Sequence, residues 1–229
     1  MICDIHVRLP AIKGFNQAML KHVDANHSMP AVVKLLLISN FIIFFLEIYY
    51  GSALITKYAL WPLDDSLGRL NSLQPHFQLH QLITYAFLHG GLLHLVLNMY
   101  VLWLFGSAIE NLWGSRVFAI YYFVCVIGAA LIQLIVSSQG VNHYPTIGAS
   151  GGVFGVLLAF GMFFPHVKLM LIFPPVLLQA RTLVIIFVII ELLFGITGTA
   201  PGIAHFAHLG GMLFGFLMIQ YWKRNPPRK

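Results

Sequence analysis

Six apolar runs, each of helical length, leave this 229-residue chain few folds to choose from. They fall at about 32–50, 91–109, 116–137, 150–164, 181–195 and 204–222. Crossing a bilayer core takes about 20 residues of helix, and no water is present there to satisfy an open backbone. At 59% hydrophobic and 9% charged, the sequence is too apolar for a soluble domain. No repeat or low-complexity segment interrupts the runs. The expectation is a single membrane domain over 1–229: an all-α bundle of six transmembrane helices, core about 30–222, with short tails.

The basic residues orient that bundle. Arg8, Lys13, Lys21 and Lys34 precede span one, and Arg116 separates spans two and three. Lys168 and Arg181 separate spans four and five, while Lys223, Arg224, Arg228 and Lys229 follow span six. Only Lys57 and Arg69 fall on the opposite side, so both termini are expected in the cytoplasm. The basic tail lacks interleaved aromatics; it is expected to set topology and meet anionic lipid, with no nucleic-acid partner. Cys3 and Cys125 are far apart, one of them inside a span, and suggest neither a disulfide nor a thiol site. No small-residue cleavage site accompanies the first apolar run, so span one is expected to stay as an anchor. The compact layout points to a bacterial plasma membrane.

Polar residues inside the spans carry the functional signal. In this orientation spans two, four and six run from outside to inside, so their first residues share the outer half of the membrane. His94 and Asn98 open span two, Ser150 opens span four, and His208 lies one turn into span six. Span four is short: Ser150 to Phe164 is fifteen residues, about 22 Å of helix, against a core of about 30 Å. Ser150 is therefore expected below the outer surface, with 137–149 descending in non-helical form. Backbone of that kind is tolerated only inside protein or along a wet cavity, which implies a hydrated pit floored by Ser150.

A serine hydroxyl becomes a useful nucleophile beside a base, and a neutral imidazole can take its proton. No aspartate lies in any span; Asp64 and Asp65 sit in the first outer loop. A Ser150/His208 dyad without a third member is the expectation. Helix-start N–H groups at Ser150 can bind an oxyanion, and His94 and Asn98, four apart on one helix face, are assigned to the same oxyanion hole. Gly148 and Gly151 suit a tight turn. His208, Gly211 and Gly215 form a smooth stripe on span six that Gly151 and Gly155 match on span four, a pairing that lets helices approach closely. Phe154, one turn below Ser150, is placed to pack on the imidazole.

These motifs resemble those of the rhomboid family of intramembrane serine proteases. The likeness rests on His94-Leu-Val-Leu-Asn98, Gly148-Ala-Ser150-Gly151, and His208 with Gly211 and Gly215. Glu110-Asn-Leu-Trp-Gly114 looks like a further family element with a structural role, and the resemblance covers about 30–222. It implies a Ser–His dyad that cuts single-span membrane proteins near the outer end of their transmembrane segment, preferring small residues at the cut, with no cofactor. Two positions depart from the family pattern. His80-Gln81 stands where a Trp-Arg pair is common, and Phe154 where tyrosine is.

Plainer readings compete at each position. Ser150 can be a small packing residue, and Asn98 interhelical glue. His89 is expected to anchor a loop by hydrogen bonding, and His205 to face the cavity rim. Glu47 and Glu191, near the outer ends of spans one and five, are given no chemistry. Trp103, Trp113 and Trp222 read as packing or interfacial anchors, and 165–180 as an inner interfacial connection. A metal centre built on His89, His94, His205 and His208 lacks HExxH and, on this reading, a neighbouring carboxylate, so no metal is assigned. A transporter, or a non-catalytic binder of transmembrane helices on the same fold, is the alternative from another class.

Overall fold

The computed structural model describes residues 29–63, 75–138, 144–170, 175–200 and 202–227. Cys3, the basic residues Arg8, Lys13, Lys21, Arg69, Arg228 and Lys229, the acidic pair Asp64 and Asp65, and residues 139–143 lie outside these, with the expectations attached to them.

Helix α1 (Ala31–Tyr50) follows Pro30, and its start is capped from a distance. The first N–H groups of a helix lack intrahelical partners and favour an anion. Here Glu110 supplies it, accepting from Val32 N at 2.9 Å and Val33 N at 2.8 Å, and from Ser115 Oγ at 2.6 Å. That one buried carboxylate ties the start of α1 to the helix corner at Gly114, in keeping with the structural role expected of Glu110–Gly114.

After α1 come α2 (Ser52–Tyr58) and the short α3 (Gln81–Thr84), which continues as a 3₁₀ turn over Tyr85–Phe87. Helix α4 (Leu92–Trp113) contains a π turn at Leu102–Gly106 and leads into α5 (Ser115–Ser137). Then follow α6 (Ser150–Phe163), the strands β1 (Lys168–Met170) and β2 (Leu177–Gln179), α7 (Ala180–Thr197) and α8 (His205–Arg224). Each of the six expected runs is helical, with ends moved by at most four residues.

Among the described residues, four helices (α1, α4, α5 and α7) are long and apolar enough to cross a membrane. Helix α6 is apolar but shorter, at 14 residues, or about 21 Å. Helix α8 has the length, 20 residues, but carries His205, His208, Gln220, Lys223 and Arg224. The all-α expectation needs correcting between α6 and α7. There, β1 and β2 pair antiparallel with Leu169 opposite Leu178, so backbone leaving one helix bonds to the strand that leads into the next.

The core forms around α5, whose Phe118, Tyr121, Tyr122, Cys125 and Val126 are almost wholly buried. Helix α8 lies along α5 and α6. Apolar side chains left exposed, such as Leu35, Phe45 and Ile48 on α1 and Ile185 and Leu193 on α7, give the bundle its outer surface.

Candidate active site

Non-helical backbone delivers Ser150 to its place. Thr146 pairs with Leu60 through two backbone bonds of 2.9 and 3.0 Å, and Gly148 N donates to Tyr85 O at 2.9 Å. The last residues before α6 are thus tied to Leu60 and to the 3₁₀ segment by backbone bonds. Gly148 has φ +123, a conformation that side chains disfavour, and a Cβ there would lie 2.8 Å from His94 Nε2. The same Cβ would lie 3.7 Å from Ser150 Oγ, so the His94 imidazole and the Ser150 hydroxyl flank one piece of backbone.

Main chain meets main chain between α6 and α8. A Cβ on Gly211 would collide with the Gly151 carbonyl, and one on Gly155 would come within 3.1 Å of the Gly211 carbonyl. Gly215, expected on the same seam, instead faces Tyr121 and Cys125 of α5. Such proximity sets His208 beside the start of α6: its Nε2 lies 2.8 Å from Ser150 Oγ. Phe154 stacks flat on the His208 ring, centroids 4.2 Å apart and planes 5° from parallel. Ser150 is half-buried and His208 buried.

The remaining candidates fall at different distances from this pair. His94 is half-buried beside Gly148, its ring edge-on to that of His89 at 5.0 Å. Asn98 is buried, and its Nδ2 donates to the His94 carbonyl at 2.9 Å, on its own helix. One amide hydrogen of Asn98 is committed there, leaving a second to offer. His89 anchors its loop through the backbone, its N–H donating to Glu47 Oε2 at 2.9 Å, and its ring is buried. Gln81, buried in α3, accepts from Trp61 N and Gln78 N, each at 3.2 Å, and His80 Nε2 reaches the Lys57 carbonyl at 2.9 Å. His80-Gln81 therefore knits the first loop together. Trp113 and Trp222 pack on each other at 5.5 Å, whereas Trp103 is exposed.

Two carboxylates escaped the sequence reading. Glu47 is buried and holds the His89 loop. Glu191, given no chemistry and placed near the surface, is also buried: its Oε2 sits 2.6 Å from His205 Nδ1 and 3.0 Å from His208 Nδ1. His205 consequently turns to Glu191 and, through Nε2, to the Thr199 carbonyl at 3.2 Å, not to a cavity rim. An acidic residue within an apolar run was itself a signal, since such residues serve a function by default.

This arrangement also overturns the premise that no carboxylate accompanies the histidines. Glu191, His205 and His208 each offer one atom, all within 4.8 Å of one another. Their contacts of 2.6 and 3.0 Å are hydrogen-bonding distances; zinc, with ligand bonds of about 2.0–2.2 Å, would have to spread them.

Residues 76–225 match the rhomboid domain. The chain belongs to the rhomboid family. It is a multi-pass membrane protein, homologous to rhomboid proteases. Presenilin-associated rhomboid-like protein, mitochondrial, of Mus musculus is 32% identical over 147 residues, covering 62% of this chain and 39% of that protein. Rhomboid protease GluP of Bacillus subtilis is 32% identical over 146 residues, covering 64% and 26%. Rhomboid protein 1, mitochondrial, of Saccharomyces cerevisiae is 33% identical over 141 residues, covering 58% and 38%. The alignments thus span 26–39% of these relatives' own lengths.

Proposed function

We propose that this rhomboid is an intramembrane serine endopeptidase whose nucleophile is Ser150 and whose base is His208. The observation that carries the reading is the 2.8 Å contact between Ser150 Oγ and His208 Nε2 at the first residue of α6. The hydroxyl attacks a substrate carbonyl as its proton passes to Nε2. N–H groups of the first turn of α6 lack helical partners and face the developing oxyanion, with His94 and Asn98 as side-chain donors. Nε2 then gives its proton to the leaving amine, and water releases the acyl group by the reverse sequence.

The substrates proposed are single-span membrane proteins cut near the outer end of their transmembrane segment, at small residues. A helical peptide bond is shielded by its own turn, so a substrate must unwind before Ser150 can reach it. In the proposed topology all six helices cross the bilayer and both termini are cytoplasmic, with α6 and α8 packed inside the bundle. A bacterial plasma membrane is the compartment proposed.

The experiment is cleavage of a labelled single-span protein by the purified chain in liposomes, with and without a fluorophosphonate probe. Ser150-dependent labelling and its block of cleavage support the proposal. A carrier or helix-binding protein would keep its function in Ser150→Ala. Sensitivity to a zinc chelator, with fluorophosphonate resistance, would replace the serine reading by a metal one.

A further inference from the structure

We infer that Glu191 is a positioning residue for the base, making the working unit Ser150–His208–Glu191 with His205 steadying the carboxylate. The inference rests on the serine protease reading above. For Nε2 of His208 to accept the Ser150 proton, the ring's own proton must sit on Nδ1. That Nδ1 is buried, and among the described residues no hydrogen-bond acceptor lies in line with it. Glu191 Oε2 is the carboxylate beside it, 3.0 Å away but off the line of the N–H, so the ring or the carboxylate must turn for the bond to close. As Ser150 gives up its proton the ring becomes an imidazolium, and the adjacent carboxylate stabilises it without taking a proton itself.

His205 fixes the other half of the arrangement. It donates from Nδ1 to the same Oε2 at 2.6 Å, and its Nε2 stands 3.2 Å from the Thr199 carbonyl in the α7–α8 connection. The carboxylate is therefore held from a second direction, and cannot swing away from His208 without breaking the shorter contact. Phe154 confines the ring from its face while Glu191 addresses its edge. Turning the imidazole over about its Cβ–Cγ bond would break the Phe154 stack and carry Nδ1 away from Glu191.

The test compares wild type, Glu191→Leu and Glu191→Gln for kcat, KM and fluorophosphonate labelling rate, with thermal unfolding as a check on folding. Nitrogen-15 NMR of labelled histidine reads the His208 tautomer independently of turnover. In soluble serine proteases losing the carboxylate costs about 10⁴-fold; here the expectation is a kcat loss of roughly 100-fold or more for Glu191→Leu, with KM nearly unchanged. Glu191→Gln keeps a carbonyl acceptor without the charge and should fall between the two. A folded Glu191→Leu with wild-type kcat overturns the inference; if that variant does not fold, wild-type kcat in Glu191→Gln does so. A wild type that neither cleaves nor labels at Ser150 sinks the protease reading instead. The tautomer then decides this one: His208 protonated at Nδ1 in wild type and not in the variant supports it, and no difference refutes it.

Discussion

The ring of Phe154 lies flat against that of His208, 4.2 Å between centroids and 5° between planes. Stacking of this kind is worth about 0.5–1.5 kcal/mol beyond area burial. Phe154→Ala should therefore lower kcat by roughly 3- to 10-fold through a looser imidazole. Phe154→Tyr should stay near wild type. Steady-state cleavage of a fluorogenic single-span substrate measures both.

Ser150 and His208 act on one proton, so their losses should not add. Ser150→Ala and His208→Ala should each abolish cleavage above background, and the double variant should be no worse than either. Activity surviving in Ser150→Ala would show that another group attacks.

The oxyanion donors predict a kinetic signature. Removing one such donor typically costs 10²- to 10³-fold in kcat, and His94→Ala and Asn98→Ala should each fall in about that range with little change in KM. A rise in KM with kcat intact would mark them as substrate contacts instead.

Glu110 accepts from two helix-start N–H groups and a hydroxyl. Glu110→Ala leaves them unsatisfied and should cost about 1–3 kcal/mol of stability. Thermal unfolding in detergent should drop accordingly. Turnover per folded molecule should hold, because the partners of Glu110 are the start of α1 and Ser115, none of them a residue of the proposed site.

Gly211→Ala places a methyl against the Gly151 carbonyl and should destabilise the protein by about 1–3 kcal/mol. Gly91→Ala is the control, since a Cβ there meets nothing within 4 Å. Thermal melts of the two variants should separate clearly.

How much of this could be read from residues alone follows the range of each interaction. The six helices were legible because an apolar run of helical length has few other fates, and their ends moved by at most four residues. The Ser150–His208 contact was legible because each residue lies near the start of its helix and glycines on both helices permit close approach. Gly215 shows where stripe reasoning stops: a smooth face says that a helix can be approached, not which neighbour does so, and α5 took that place. Glu191 was missed because its partners lie on α8, and only the fold of the α7–α8 connection turns His205 and His208 toward it. The β1–β2 hairpin and the α3 turn were invisible for a related reason. They are short and held by bonds to distant segments, such as those of Gln81, which leave no periodicity in the sequence.

The seam between Gly151 and Gly211 has one last implication. Because the Gly151 carbonyl lies where a Gly211 side chain would begin, the gap between alcohol and imidazole is set by main chain, without a side chain as spacer. Drift among the greasy residues of the periphery can proceed without retuning the reaction. A single added methyl at the seam cannot, so tolerance to mutation across this molecule should divide sharply between rind and joint.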